Sequence, residues 1–235
     1  MDIYRNEWKI CSSEADMHRR IRLSALFTRL QEAAIEHTQQ LGAGKEKTLD
    51  KGLLWVVTQQ SVSFARMPEY DECLTLLSWP GKTMHLFFPR FWQILDERGD
   101  IIIEASSLWG LMDSHTRKLT FPEEYGIDLP DLSEGRSIPL PTRIRAQQAE
   151  IVQSFTVPYS YVDLNGHMNN ARYFDLITDL IPGALAEKNI REIFMEYTAE
   201  ARYKDVLKLR YLGDKRSFYF SGETDRPVFR MQLTY

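Results

Sequence analysis

YVDLNGHMNNARYFDLITDLI, residues Tyr161–Ile181, joins a polar loop to an amphipathic helix. Tyr173, Phe174, Ile177, Leu180 and Ile181 recur at helical spacing and give the second part of this stretch one apolar face. Asn169 or Asn170 stands where an N-cap is wanted, ahead of that face. The loop itself is dense in polar side chains, with Asp163, Asn165, His167, Asn169 and Asn170 within eight positions. Gly166 lets the backbone bend tightly among them.

The same order of elements occurs earlier in the chain. Leu23, Leu26, Phe27, Leu30 and Ala34 mark an amphipathic helix around residues 24–38. A shift of 147 positions lays Asp16 on Asp163, Leu26 on Tyr173 and Phe27 on Phe174. After the first helix come strand-like segments, LLWVVTQQSVSF (53–64), CLTLLSW (73–79), LFFPRFWQIL (86–95) and DIIIEASSLWGLM (100–112). Asp96-Glu97-Arg98-Gly99 supplies a hairpin turn between the last two. After the second helix come IFMEYTAEARY (193–203), VLKLRYL (206–212), SFYFSG (217–222) and VFRMQLTY (228–235). Gly213-Asp214 and Thr224-Asp225-Arg226 read as turns. Between the halves, Pro122, Pro130, Pro139 and Pro141 interrupt both helical and strand periods and mark a surface linker. The chain therefore divides into 1–118, a linker over 119–147, and 148–235. One helix followed by a curved antiparallel sheet, twice over, predicts an α+β fold. Each sheet would wrap its own helix, the arrangement of a tandem (double) hot-dog.

Composition narrows the function. The 235 residues are 43% hydrophobic and 26% charged, ordinary values for a folded chain. A formal charge of −4 gives no global sign of a nucleic-acid binder. The polar, charged N-terminus has no signal-peptide core, and no apolar run is long enough to span a membrane. Cys11 and Cys73 form no zinc-like pair. A cytoplasmic setting without metal or cofactor is the expectation.

The 161–173 loop is where chemistry is expected. A turn with helix caps would account for a lone histidine and one asparagine, but not for five polar residues with complementary roles. Histidine exchanges protons near neutrality. Asp163 and Asn165 could orient it or hold a water. The N-terminus of a helix can stabilise a developing oxyanion.

Read as D-x-N-x-H-x-N-N-x-x-Y, residues Asp163, Asn165, His167, Asn169, Asn170 and Tyr173 resemble the signature of the acyl-ACP thioesterases. Two further segments carry the likeness. WGLMDSHTRKL (109–119) resembles the W-x-x-M-x-x-x-T-R-x-L segment that closes the first hot-dog of that family. MEYTAEARYKDVL (195–207) resembles its L-E-Y-R-R-E-C-x-x-D-x-V-L strand. The resemblance implies a double hot-dog that hydrolyses fatty acyl groups from acyl carrier protein. It gives catalytic roles to Asp163, Asn165, His167 and Glu200, and Asn169 and Asn170 are expected at the substrate. The family's cysteine position holds Ala201 here, so a cysteine nucleophile is excluded at that position. Two mechanisms stay open: water activated through Glu200 and His167, or direct attack by Asp163. The first half, with Arg19–Arg22 in place of Gly166–Asn169, is expected to house the acyl chain instead.

Acyl carrier protein is an acidic partner class, so a net-negative enzyme needs a local basic face to meet it. Arg19, Arg20 and Arg22 form one candidate; Arg202, Lys204, Lys208 and Arg210 form another. Hydrolysis of acyl-CoA is the first competing function, and a non-catalytic acyl-thioester sensor the second. Monomer and homodimer are both compatible with the sequence.

Overall fold

The computed structural model describes residues 3–181, 189–214 and 216–235. Strands β1 (Tyr4–Lys9), β2 (Leu53–Phe64), β3 (Cys73–Pro80), β4 (Phe87–Leu95) and β5 (Ile101–Asp113) surround helix α1 (Leu23–Gln40) in the first half. A short β6 (Leu119–Thr120) pairs with β5. The second half repeats the pattern with β7 (Glu150–Thr156), α2 (Arg172–Leu180), β8 (Glu192–Tyr197), β9 (Val206–Gly213), β10 (Ser217–Glu223) and β11 (Pro227–Thr234).

All pairings between these strands are antiparallel, and the order is β1-β3-β4-β5-β2-β8-β11-β10-β9-β7. This order reads the same from both ends once each strand is replaced by its counterpart. The halves join where β2 meets β8, Ser61 opposite Phe194, so the two sheets are one continuous sheet with no open edge between them. α1 and α2 lie against each other under that junction. Phe27 and Phe174, the residues related by 147 positions, stack with ring centroids 3.6 Å apart. Both are buried, and aromatic stacking adds about 0.5–1.5 kcal/mol to what their burial contributes.

The duplication extends to individual backbone hydrogen bonds. Asp16 N donates to Arg20 O at 2.8 Å, as Asp163 N donates to His167 O at 2.9 Å. Arg22 N donates to Glu14 O, as Asn169 N donates to Tyr161 O. The Asp16 carboxylate accepts His18 N at 2.8 Å, as Asp163 accepts Asn165 N at 2.8 Å. Arg19 and Gly166 both sit at positive φ, 64° and 80°. β3 and β9 correspond residue for residue, 133 positions apart. The loop is therefore a structural device of both halves, and only its side chains differ.

α1 follows its apolar stripe, with Leu26, Leu30 and Phe27 almost fully buried. It stops at Leu41, followed by Gly42 at φ 76°, a conformation glycine takes without a steric penalty. One expectation needs correction. The strand expected over 193–203 ends at Tyr197, because the chain leaves the sheet to carry Glu200 and Ala201 toward the 161–169 loop, where Met168 N donates to Ala201 O at 2.7 Å. β1 and β7 have no counterpart in the sequence pattern; both are edge strands, and β7 is exposed along most of its length, so neither shows a clean alternation. The 119–147 stretch packs against the first-half sheet, and its Leu129 reaches the cavity beside α1. It is anchored there by Ser106 Oγ donating to Pro139 O at 2.6 Å and Leu132 N to Pro80 O at 3.0 Å, with Ile127, Leu129 and Ile144 buried.

Candidate active site

Asp163 lies in the loop that leads into α2. Its Oδ1 is occupied by Asn165 N–H, which holds the turn closed around Gly166. Its other oxygen has no hydrogen-bond partner among the described residues, and Asp163 lines a largely apolar cavity together with Asn165 and Asn170.

That cavity, about 280 Å³, lies at the small end of ligand pockets, which run from roughly 300 Å³. Nearly all its wall comes from the first half. Gln31, Ala34, Ile35 and Thr38 present one face of α1, opposed by Trp55, Phe88 and Trp109 from the sheet. Asp163, Leu164, Asn165 and Asn170 from the second half close one end. Gln31 connects the halves there, accepting Asn170 Nδ2–H at 3.4 Å. The arrangement is an apolar cavity lined mostly by the first half, with a polar end supplied by the second.

His167 and Glu200 meet outside that cavity. His167 Nε2 is 3.1 Å from Glu200 Oε2. Neither residue is part of the cavity wall. Between them stands Arg117 from the first half. Its Nε donates to Glu200 Oε2 at 3.2 Å, and its Nη2 contacts Glu200 Oε1 and both ring nitrogens of His167, Nδ1 at 3.2 Å. Burial pushes the Glu200 carboxyl up, but the hydrogen bonds from His167 and Arg117, with their charges, outweigh it and bring its pKa down to about 2. Glu200 is thus a permanent anion at neutral pH and a weak base.

Arg117 is not among the residues the sequence marks for a catalytic role, although it falls within the T-R-x-L segment. A tight turn explains its reach. Asp113 accepts N–H groups of His115 (3.0 Å) and Thr116 (2.6 Å), and Arg117 itself adopts φ 56°. A left-handed, non-glycine residue costs about 1–2 kcal/mol. The charge-assisted contacts with Glu200 offset it.

The remaining expected residues divide. Asn170 lines the cavity, and its carbonyl accepts Tyr197 OH at 3.0 Å. Asn169 does not line it; its Oδ1 accepts Ala171 N at 2.9 Å and its carbonyl accepts Arg172 N. These bonds occupy the first N–H groups of α2, so donors toward a substrate carbonyl would come from the carboxamides of Asn165 and Asn170. At 147 positions His167 corresponds to Arg20, and at the 133-position register of β3 and β9 Glu200 corresponds to Met67, so the first half has the loop without the chemistry. Of the basic residues considered for docking, Arg210 is committed to Glu223 and Ala149 O, and Arg22 Nε to Ala15 O. Among the described residues no group of three or more His, Cys, Asp or Glu is placed to hold a metal. No described helix is long and apolar enough to cross a membrane.

Residues 1–125 match the family model of the acyl-ACP thioesterase N-terminal domain, and residues 144–225 that of the C-terminal domain. A chloroplastic palmitoyl-acyl carrier protein thioesterase of Arabidopsis thaliana is 28% identical over 225 residues, covering 88% of this chain and 54% of the relative. The chain thus spans about half the length of the curated relatives it matches. Among solved structures, an acyl-ACP thioesterase from Bacteroides thetaiotaomicron superposes with a TM-score of 0.86 at 25% identity, covering 99% of this chain and 97% of that one. The 12:0-ACP thioesterase from Umbellularia californica shares the fold, with a TM-score of 0.80 at 22% identity over 99% of this chain and 96% of that one.

Proposed function

The chain belongs to the acyl-ACP thioesterase family, and we propose that it hydrolyses fatty acyl–acyl carrier protein thioesters to free fatty acid and carrier protein. The observation that carries this reading is the placement of Asp163 and Asn165 at one end of a largely apolar cavity of about 280 Å³. The acyl chain enters along α1, and the thioester stays at the polar end. The Asn165 and Asn170 carboxamides donate to the carbonyl oxygen as it gains charge.

Asp163 is the attacking group in this reading, because it lines the cavity and keeps one carboxylate oxygen without a hydrogen-bond partner among the described residues, while Glu200 is a weak base that does not line it. Its carboxylate adds to the thioester carbon, the C–S bond breaks, and the carrier's thiolate leaves and takes a proton. Water then cleaves the resulting anhydride, regenerating Asp163 and releasing the fatty acid. The His167–Glu200 contact favours a second route, in which His167 assists a water directly. A single turnover in heavy-oxygen water tests the first route: label on the Asp163 carboxylate requires attack of water on the anhydride at the Asp163 carbonyl, which direct attack of water on the thioester cannot produce.

The carrier is tested by competing matched acyl-ACP and acyl-CoA. Faster thiol release from acyl-ACP, with steeper salt dependence, supports carrier docking on a basic face. Faster release from acyl-CoA would transfer the reading to that substrate. The second route predicts that His167→Ala lowers kcat by about 10²–10⁴-fold while the fold is retained. A folded variant with normal turnover would remove His167 from the mechanism.

A further inference from the structure

The cavity that would hold the acyl chain contains a charge that a hydrocarbon does not need. Arg90 on β4 is 3% exposed and lines the cavity beside Thr38. Its Nη1 meets His37 Nδ1 at 2.8 Å and its Nη2 donates to Thr38 Oγ1 at 2.8 Å. Among the described residues these are its hydrogen bonds, and no carboxylate pairs with it. A guanidinium carries five N–H donors, so three remain beyond these two. Burial draws its pKa down to about 9, so it stays protonated at neutral pH.

Part of this charge is met by the last turn of α1, whose carbonyl end carries partial negative charge. That contact explains why Arg90 is tolerated between helix and sheet. It does not supply acceptors for the remaining N–H groups, which have no protein acceptor among the described residues in a side chain that lines the cavity. A plain alkyl chain packed against them would leave them unmet.

Resting on the acyl-thioester reading above, we propose that Arg90 and Thr38 form a polar subsite that selects acyl chains bearing an oxygen acceptor (hydroxyl, keto or carboxylate) away from the thioester. Its position along the chain follows from α1. Gln31 marks the thioester end through Asn170, and Thr38 lies seven residues on, about 10 Å at the helical rise. An extended chain advances roughly 1.2 Å per bond, which puts the acceptor about eight or nine bonds from that end.

The test is thiol release from length-matched acyl-ACPs, plain and hydroxylated, with the hydroxyl moved along the chain. A hydrogen bond from a charged donor should raise kcat/KM for the correctly placed hydroxyl about tenfold to a hundredfold over the plain chain. Arg90→Met should reverse that preference. A wild type that prefers the plain chain at every hydroxyl position would overturn the proposal, as would a preference that survives in Arg90→Met. Should that variant not fold, the test moves to calorimetry on the wild type with non-hydrolysable amide analogues of plain and hydroxylated acyl-pantetheine. Tighter binding of the hydroxylated analogue supports the subsite, and equal or weaker binding removes it. Absence of thiol release from every acyl-ACP would defeat the hydrolase reading, and the calorimetry would still decide the subsite.

Discussion

Replacing Arg117 with Met keeps the length of the side chain and removes the cation that ties the two halves together at Glu200 and His167. In the native protein the Glu200 carboxyl has a pKa of about 2, against 4.5 without its neighbours. At about 1.4 kcal/mol per unit this gap bounds its contribution at about 3 kcal/mol. The two side chains keep 27% and 23% of their surface in contact with solvent, so screening reduces the figure to about 1–2 kcal/mol. Because the folded-state pKa is depressed, this stability is present above pH 4.5. It is lost as pH falls toward 2, where the unfolded chain binds the extra proton. In Arg117→Met the carboxyl moves back up, so the variant is less stable at pH 7 and loses less on acidification. Urea midpoints at pH 7 and at successive steps below pH 4.5, for wild type, Arg117→Met, Glu200→Gln and the double variant, read both effects. The double variant corrects for what each substitution does alone. Turnover should fall by up to about a hundredfold, since His167 and Glu200 lose their common partner. Arg117→Lys should restore part of the acid dependence. Equal acid sensitivity in wild type and Arg117→Met would show that the guanidinium does not hold the carboxyl down.

Two other changes test different levels of the structure. Ala34 is buried and lines the cavity, so Ala34→Leu should shift the acyl-ACP preference toward shorter chains, each excluded methylene being worth about 0.8 kcal/mol, or roughly fourfold in kcat/KM; an unchanged chain-length profile would place the acyl group elsewhere. Gly166→Ala adds a Cβ that meets nothing within 4 Å at φ 80°, so its cost is conformational, about 1 kcal/mol in thermal or urea unfolding, and a much larger loss would mean the loop is tighter than its geometry indicates.

Long apolar stripes and alternating strands make most of the architecture legible in the sequence. The helix near 24–38 coincides with α1 because its apolar stripe is regular, and the 53–64 strand coincides with β2 because its β-prone residues run on through the bulge at Val57–Gln59. β1 and β7 are illegible because edge strands with solvent on one side need no regular pattern. The strand expected through Tyr203 fails because its β-prone residues continue past Tyr197, while the tertiary requirement to bring Glu200 to His167 bends the chain away. At the site, Asp163, Asn165 and Asn170 can be read from their density in one loop, and Glu200 only through the family likeness. Arg117 escapes a reading of the sequence because its reach depends on a left-handed turn and on a contact between halves 83 positions apart. Arg90 looks like one more residue of a strand, since sequence does not show that its side chain is enclosed.

The most direct test of the proposed chemistry is thiol release from acyl-ACP by the wild type and by Asp163→Asn, a near-isosteric change that removes the carboxylate from the polar end of the cavity. Release by the wild type is expected, with a loss of at least about a hundredfold in the folded variant. Comparable release by both proteins would contradict the assignment, because the group placed at the thioester would then take no part in the reaction.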